Sequence, residues 1–471
     1  MSTRKIILPL LCVLIAVPAW GRVLLRWTQT LVPPPETLGV SDLVVPFDAT
    51  AVLENARRQG YHVYVETTLQ NASTVAEVGN KEGLAGIILR VAHADADEAD
   101  TVLQSLRSAY PKQLFLVSSA DGKQPQMQGQ VLSLRDGILQ ISSATAQPWL
   151  DTNLAMLRFD QTFRSEQTPI YGFQWDLADP LLEKLGPQEA DYSLAVAEAG
   201  AFQADLILDV HDRLQRALAQ DDPQAWTTWK DVKRYVDFYS PRSRQETHFP
   251  VNVGVVTEDY QTSYEPTNLM ARHNIPFRIL RSADLGLDTL KKFDVLVLLA
   301  SLDKRAGTAI AVFAARGGVA LLVDSQGSYP WHSAKPVRRN EHSVTYAVGT
   351  GRVIELTEPM ADPEAFAQDV RRLIDNRKIA ISLWNALTTV AVAYRAQSGS
   401  ETTVELLNYA AEPLPVQVRV KGAFTSIQYE TPERGCCESL KPVQRDGYTE
   451  FVVPWLRIGG RVHLQTGGPE H

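Results

Sequence analysis

Residues 61–91 read YHVYVETTLQNASTVAEVGNKEGLAGIILRV, and this stretch decides the fold class. Two short runs rich in Val and Ile, His62–Val65 and Gly86–Leu89, lie on either side of an amphipathic segment. The order strand, helix, strand is the repeating unit of a parallel α/β architecture. The sequence therefore predicts an α/β fold at this point, and the same unit can be followed outward along the chain.

The alternation of apolar and amphipathic segments extends from about Ser41 to Ser240. No glycine-rich phosphate loop follows the first strand, which favours a barrel over a doubly wound nucleotide-binding sheet. We therefore predict an irregular (β/α) barrel over 41–245, short because no convincing eighth strand precedes the next domain. The predicted strands are Leu43–Phe47, His62–Val65, Gly86–Leu89, Gln113–Val117, Ile138–Ile141, Ile170–Gln174 and Leu206–Leu208.

Two further domains are expected after the barrel. Over 246–378, buried strands separated by helices predict a compact doubly wound α/β unit, and Asp362 followed by Pro363 is a typical helix start. Over 379–471, alternating apolar and polar residues broken by turns predict a small antiparallel β-sandwich. The predicted strands are Val251–Thr257, Pro276–Leu280, Val295–Ala300 and Val319–Asp324 in the first, and Thr403–Leu407, Val416–Val420 and Phe451–Val453 in the second.

The N-terminus has the pattern of an export signal. Arg4 and Lys5 precede an apolar run, Ile6–Trp20, and small residues follow close to its end. We expect 1–22 to be a signal peptide or, as the alternative, a retained anchor, so that the protein is exported to the periplasm or secreted. Residues 23–40, with prolines at 33–35, are predicted to be a stiff linker.

Composition restricts the class of partner. The chain has 471 residues and a net charge of -8, so it offers no basic surface for phosphates, and nucleic acid is not expected. A membrane partner is not expected beyond the possible N-terminal anchor. An acidic exported protein suits a neutral partner such as a carbohydrate. No cofactor is expected, because the sequence lacks a phosphate-binding loop and a dinucleotide fingerprint.

Metal binding and thiol chemistry find little support in the sequence. Asp209, His211 and Asp212 could offer ligand atoms, but no second His cluster at ligand spacing accompanies them, and no metal site is expected. Outside the leader the cysteines are Cys436 and Cys437. They could form a strained disulfide, remain two thiols in a turn, or link to another chain.

Segments of the middle domain resemble the amidotransferase-like trimerisation domain of family 42 β-galactosidases and related putative glycoside hydrolases. These segments are VNVGVVTEDY from 251, TNLMARHNIPFRIL from 267, FDVLVLLAS from 293 and FAARGGVALLVD from 313. The order barrel, doubly wound domain, sandwich is similar to the layout of that family. The resemblance implies a glycoside-hydrolase-like protein and a homo-oligomer. It also implies a non-catalytic middle domain, since Ser301 follows the strand after which an amidotransferase would carry its cysteine.

The resemblance does not supply the catalytic residues. The family carries an Asn-Glu pair after the fourth barrel strand and a nucleophilic Glu after the seventh. Here the predicted fourth strand ends at Ser118 and Ser119, and the seventh ends at Asp209. Neither family residue can be carried over by motif, which implies a divergent enzyme or a barrel without activity.

Polar residues follow the predicted barrel strands, and the C-terminal ends of those strands converge on one face. Hydrolysis of a glycosidic bond needs two carboxyl groups about 5 to 10 Å apart. Glu66 is the first choice for one role, while Asp176 and Asp209 compete for the other. The strand-end residues are Asp48, Glu66, Arg90, Asp176 and Asp209.

Each of these residues also has a structural interpretation. An Asp after a strand commonly caps the next helix, and this is the more expected role for Asp48. Glu198 is expected to lie on a helix that packs against the barrel. Trp175 is the best candidate for a flat platform under a sugar ring. Arg90, Asp48 and Trp149 are further candidates for substrate contacts.

The sequence thus predicts an exported, divergent glycoside-hydrolase-like protein that acts on or binds carbohydrate through paired carboxylates. The alternative is a non-catalytic glycan-binding or assembly protein with a degenerate barrel, which the missing Asn-Glu motif favours.

Overall fold

The computed structural model describes residues 21–466 except for several gaps, and it contains three units in the predicted order. The residues it does not describe are 1–20, 122–131, 136–137, 142–152, 166, 174–185, 241–245, 249–250, 324–326, 359, 361, 377, 387, 397–398 and 467–471. Three predicted site residues lie outside the described residues: Trp149, Trp175 and Asp176. The predicted signal segment, 1–22, also lies outside them except for its last two residues. The predicted fold class, a barrel followed by an α/β domain and a β-sandwich, is confirmed.

The first unit is a closed barrel of parallel strands that alternate with helices. Its described strands are β1 (Val23–Arg26), β2 (Asp42–Val45), β3 (His62–Thr67), β4 (Gly86–Val91), β5 (Phe115–Ser119), β6 (Leu132–Arg135), β7 (Ile138–Ile141), β8 (Ile170–Phe173) and β9 (Asp205–Asp209). The seven strands other than β6 and β7 form the barrel in chain order, and β1 closes it by pairing with β9.

The helices of this unit fill the connections between the strands and extend beyond β9. Those described are α1 (Pro35–Leu38), α2 (Thr50–Arg58), α3 (Ala72–Glu82), α4 (Ala96–Ala109), α5 (Asn153–Phe163), α6 (Glu189–Ala201), α7 (Asp212–Ala219) and α8 (Pro223–Tyr239). Single turns of 3₁₀ helix at Leu69–Asn71 and His93–Asp95 lead into α3 and α4.

Two details of the predicted barrel are wrong. Residues 23–40 are not a linker, because Val23–Arg26 is a barrel strand and Pro35–Leu38 is a short helix. The strand is only four residues long and continues the apolar leader, so its sequence shows no boundary of its own. Ile138–Ile141 pairs antiparallel with Leu132–Arg135 in a hairpin outside the barrel. A short, mostly apolar run has the same pattern in both settings.

An apolar layer fills the middle of the barrel. Seven side chains form this cluster, one from each barrel strand: Leu24, Val44, Tyr64, Ile88, Leu116, Ile170 and Ile207. Side chains two positions apart on a strand face the same side. Polar residues two positions before and after this layer therefore also face the barrel interior, at its N-terminal and C-terminal ends.

The N-terminal end of the barrel is closed by an ion pair between β1 and β9. Arg22 Nη2 donates to Asp205 Oδ2 at 2.6 Å, and Arg22 Nη1 donates to Tyr64 Oη at 3.1 Å. The Asp205 side chain is 2% exposed. Burial acts to lower the pKa of Arg22, but the Asp205 carboxylate outweighs it and holds that pKa above its ordinary value. Arg22 is thus part of the barrel, although the sequence assigned it to the leader.

Replacing Asp205 with Asn should destabilise the barrel, because Arg22 would lose the carboxylate with which it forms an ion pair. We expect a loss of about 2–3 kcal/mol in the free energy of unfolding, below the range for a fully buried pair because Arg22 stays partly exposed. Urea unfolding followed by tryptophan fluorescence measures the change. Asp288→Asn is the control, since it breaks a solvent-exposed pair with Lys291. Equal midpoints for the two variants would contradict the prediction.

The second unit is built on a mixed seven-stranded sheet. Its order is β12-β11-β13-β14-β17-β16-β15, in which the first five strands are parallel. The four predicted strands correspond to β11 to β14, and Asp362 accepts hydrogen bonds at the start of the predicted helix after the sheet. The strands described from residue 246 onward are β10 (Glu246–His248), β11 (Val253–Val256), β12 (Phe277–Leu280), β13 (Val295–Leu298), β14 (Val319–Leu322), β15 (Arg338–Arg339), β16 (Ser343–Val348) and β17 (Gly351–Leu356).

Helices pack on both sides of this sheet. Those described are α9 (Tyr260–Arg272), α10 (Leu287–Leu290), α11 (Lys304–Ala315) and α12 (Pro363–Leu373), with 3₁₀ turns at Ser282–Asp284 and Pro330–Ser333. Among the helices of the described ranges, none has both the length and the apolar character that a membrane crossing requires.

The third unit is an antiparallel sandwich of two sheets, of orders β10-β19-β20-β26-β22-β23 and β18-β21-β25-β24. Short strand β10 precedes the middle unit in the chain but pairs with β19 here. The strands are β18 (Ile381–Trp384), β19 (Thr389–Ala396), β20 (Glu401–Asn408), β21 (Leu414–Lys421), β22 (Ser426–Thr431), β23 (Gly435–Ser439), β24 (Val443–Arg445), β25 (Tyr448–Leu456) and β26 (Gly459–Gln465).

A buried carboxyl group joins the barrel to the sandwich. Glu198 on α6 is 1% exposed and accepts three hydrogen bonds. The donors are Asn153 at 2.8 Å, Tyr171 of β8 at 3.1 Å and Tyr409 of the sandwich at 2.7 Å. Burial raises the pKa of Glu198 above its ordinary value, and the three donors act in the opposite direction. The expected structural role of Glu198 agrees with this position.

Candidate functional site

The C-terminal end of the barrel interior carries a charged layer centred on Arg26. Arg26 Nη1 donates to Asp209 Oδ2 at 2.9 Å, and Arg26 Nη2 donates to Glu66 Oε2. Arg26 and Asp209 are direct neighbours in the pairing of β1 with β9, and Glu66 lies on β3. The side chains of Glu66 and Asp209 are 16% and 32% exposed. One guanidinium therefore holds two carboxylates at the open end of the barrel.

This arrangement determines the separation of the two carboxyl groups. Because both bind the same guanidinium, they lie within about 8 Å of each other, inside the range of about 5 to 10 Å used by glycosidases. Both follow the apolar layer on the inner side of the barrel. Of the three predicted catalytic residues, the structure describes Glu66 and Asp209, and it brings these two together on one face of the barrel.

A cavity of about 430 Å³ opens beside Glu66. Glu66 and Arg90 form its charged wall, and the ring of Phe47, 42% exposed, lies at its edge. The polar wall comes from the segment between β3 and α3 and includes Thr68, Asn71 and Thr74. A flat apolar ring beside charged and hydroxyl groups is a suitable surface for a sugar, whose ring has an apolar face and polar edges.

The other predicted residues have different positions. Asp48 is exposed, and α2 begins at Thr50 with no side-chain cap, so the capping interpretation of Asp48 is wrong. Phe47, next to it, lines the cavity instead. Arg90 is exposed at the end of β4 and lines the same cavity. The placements of Trp149, Trp175 and Asp176 fall outside the described residues, and their proposed roles stay predictions.

Sequence reasoning missed Arg26, the residue that joins the pair. The signal was present, because VLLR ends in a charged residue after an apolar run, like VYVE and LILD. It was missed because 23–40 was assigned to a linker. Because β1 was not predicted, the strand that ends at Ser119 was counted as the fourth barrel strand. The fourth barrel strand is Gly86–Val91, which is followed by Ala92 and His93. No Asn-Glu pair follows that strand either.

A second polar cluster lies at the rim beyond β4 and β5. His93, whose side chain is 3% exposed, contacts Asp121 through Nδ1 at 2.6 Å and Asp160 through Nε2 at 3.0 Å. Arg164 donates to the same Asp160 oxygen at 2.7 Å. The ring of Tyr260, at the start of α9, stacks on the His93 ring with centroids 4.1 Å apart. The middle domain therefore covers this side of the rim.

The charge states in this cluster follow from its contacts. Burial acts to lower the pKa of His93, but the hydrogen bonds to Asp121 and Asp160 outweigh it and raise that pKa. For Asp121, burial acts to raise the pKa, and the contacts with His93 outweigh it and lower that pKa. The His93 contribution to stability is therefore complete below its unfolded pKa of about 6.5 and is lost as pH rises through the raised folded value. The Asp121 contribution is lost instead as pH falls below about 4.

Replacing His93 with Gln should lower the melting temperature most at about pH 5.5, between the two transitions, and less at about pH 9, because the contribution of the charged imidazole is lost as pH rises. Thermal unfolding followed by circular dichroism at both values measures the difference between variant and wild type. His342→Gln is the matched control, because that side chain is 71% exposed. A difference that is constant with pH, or that grows toward pH 9, would contradict the prediction.

Cys436 and Cys437 are joined by a disulfide, one of the alternatives that the sequence left open. Among the described residues, Glu430 with these two cysteines has the spacing of a metal site. The two Sγ atoms are bonded to each other, so they are not thiolate ligands.

The architecture is a closed parallel barrel followed by an α/β domain and a C-terminal β-sandwich. Solved structures of glycoside hydrolases share this fold over nearly the whole chain. The sequence itself matches no protein-family model and no curated protein.

Three of these structures can be named. The β-galactosidase from Bacillus circulans sp. alkalophilus is similar with a TM-score of 0.58 and 7% identity, over 95% of this chain and 99% of that one. The α-L-fucosidase isoenzyme 2 from Paenibacillus thiaminolyticus gives 0.57 and 11%, over 95% and 100%. Gan42B, a GH42 β-galactosidase, gives 0.56 and 10%, over 95% and 98%. At these identities the likeness establishes the fold, which is the one that the sequence resemblance implied.

Proposed function

We propose that this protein is an exported, divergent glycoside-hydrolase-like protein whose substrate or ligand is a carbohydrate. The sugar binds at the C-terminal end of the barrel, beside Glu66 and Asp209. The observation that carries the proposal is the pair of carboxylates held by Arg26 next to an open cavity. The solved structures of similar fold, a fucosidase and β-galactosidases among them, support a carbohydrate over other neutral ligands.

The proposed chemistry divides the two carboxyl groups between two roles. One is protonated and donates its proton to the leaving glycosidic oxygen, and the other is ionised and acts as nucleophile or base. Both contact Arg26 in the free protein, so the carboxyl group that serves as the acid first leaves Arg26 and takes up a proton from solvent, which it then donates to the leaving oxygen. Phe47 supports the apolar face of the ring, and Arg90 contacts sugar hydroxyls from the opposite wall.

A non-catalytic glycan-binding protein is the second candidate. Two observations favour it: the engagement of both carboxylates by one guanidinium, and the lack of an Asn-Glu pair after Gly86–Val91. In this form Glu66 and Asp209 accept hydrogen bonds from sugar hydroxyls and no bond is cleaved.

Export and assembly belong to the same proposal. The cationic start and apolar run at residues 4–20 support export to the periplasm or beyond. The disulfide of Cys436 and Cys437 suits an oxidising compartment. Since Arg22 closes the barrel, a cleaved signal ends before that residue. The homo-oligomer that the sequence resemblance implies stays a prediction, and light scattering on the mature protein tests it.

Activity on chromogenic glycosides should depend on both carboxyl groups. We expect Glu66→Gln and Asp209→Asn each to lower kcat by about 10²-fold or more, because each removes a group that transfers a proton or attacks the sugar. A panel of nitrophenyl glycosides, including β-galactosides and α-L-fucosides, measures hydrolysis by wild type and variants. Glu77→Gln, an exposed carboxylate on α3 paired with Lys81, is the control.

The outcomes separate the two candidates. Hydrolysis that survives unchanged in Glu66→Gln removes Glu66 from the mechanism. No hydrolysis of any glycoside, together with glycan binding that is lost in the same variants, identifies the non-catalytic form. Absence of both hydrolysis and glycan binding would overturn the proposed function.

A further inference from the structure

We propose that a cavity where the three units meet, away from the barrel mouth, is a binding site for a small organic anion bearing carboxylate groups. The cavity has a volume of about 490 Å³, within the range of small-molecule sites. Its walls come from α5 of the barrel unit, from β12 and the end of α9 in the middle unit, and from β19 of the sandwich. The proposal does not depend on glycosidase activity.

Arg158 on α5 is the central cation of this cavity. Its Nη1 donates to Gln161 Oε1 at 3.2 Å, and its guanidinium lies 5.1 Å from the centre of the Phe202 ring. Gln161 is itself fixed, since its Nε2 donates to the Phe202 carbonyl at 3.1 Å. Within the described part of the chain, Arg158 contacts no carboxylate. A guanidinium has five N–H donors, so this one is held in place with donors left for a ligand.

The surroundings of Arg158 disfavour its positive charge unless an anion is bound nearby. Burial lowers the pKa of Arg158, and the positive charge of Arg278 acts in the same direction. Arg158 is only partly exposed to solvent, and an arginine withdrawn from water is usually paired with a carboxylate or phosphate, because removing an isolated charge from water is unfavourable. An anion bound in the cavity would supply the counter-charge that the described side chains do not.

The rest of the lining is positive on balance. Arg278 and Lys292 are exposed cations at the cavity, and neither forms an ion pair with a described residue. Asp284 is the one acidic residue among the lining side chains that the structure describes. Three cations facing one carboxylate favour a ligand with two or more negative charges, and the planar guanidinium of Arg158 favours carboxylate geometry.

The shape of the cavity is fixed by contacts among the three units. Asn274, at the end of α9, donates to the Thr389 carbonyl at 3.0 Å and accepts from the Ala391 N–H at 2.7 Å. Thr162 on α5 donates to the Ile279 carbonyl of β12 at 3.1 Å. These contacts hold α9 to β19 and α5 to β12. The site is therefore preformed, which reduces the entropy lost when a ligand binds.

Isothermal titration calorimetry on the full mature chain tests the proposal. The probes are citrate, glucuronate and inorganic sulfate, with glucose as the neutral comparison. We expect citrate to bind most tightly, sulfate more weakly and glucose not at all at this site. Arg158→Gln should weaken citrate binding by about 10-fold or more, since it removes one desolvated charge-assisted contact. Added salt should weaken it further.

Two more variants make the result decisive. Arg278→Gln changes an exposed side chain and should weaken citrate binding several-fold even where Arg158→Gln fails to fold. Arg213→Gln is the matched control, because Arg213 is an exposed arginine on α7 without an ion pair among the described residues. Citrate affinity that is equal in wild type, Arg158→Gln and Arg278→Gln would overturn the proposal, as would no binding of any anion at 10 mM.

Discussion

The structure of the barrel depends on two arginines, Arg22 directly before its first strand and Arg26 at the end of that strand. Strand β1 closes the barrel between β2 and β9. Arg22 pairs with Asp205 below the apolar layer, and Arg26 pairs with Asp209 above it. Both pairs join β1 to β9, the two strands farthest apart in the barrel sequence. The contacts that close the sheet are therefore the same contacts that position the candidate site.

Among the described residues, the other two units pack against the barrel without covering the candidate cavity. The middle domain covers the rim near β4 and β5, where Tyr260 stacks on His93. Glu66 on β3 and Arg90 on β4 line a cavity at the same end of the barrel. The Glu198 contacts fix the sandwich against the barrel from a third direction. The middle domain and the sandwich are thus both held against the barrel by contacts between described residues.

Much of the fold could be predicted from the sequence, because its strands are short apolar runs between amphipathic segments. Val253–Val256 and Val295–Leu298 are examples, each fully buried and directly preceded by a polar residue. Strand β1 could not be found, since VLLR continues the apolar leader without a turn. Ile138–Ile141 was placed in the barrel because its pattern does not distinguish a parallel partner from a hairpin.

The site was predictable in part for a related reason. Glu66 and Asp209 directly follow apolar runs, so the local sequence predicts that each lies at the end of a strand. Their common partner Arg26 was not, because the contact exists only once the barrel is closed. The His93 cluster could not be predicted from the sequence either, because its partners Asp121 and Asp160 lie 28 and 67 residues away along the chain.

The short distance between the apolar leader and β1 also determines which end of the barrel would lie nearest a membrane if the leader were retained there. All barrel strands run parallel to β1, so their N-terminal ends lie together at the end closed by Arg22, and the carboxylates lie at the opposite end. A leader retained in a membrane would tether the closed end of the barrel to the bilayer within a few residues. The end of the barrel that carries the carboxylates would then face away from the lipid.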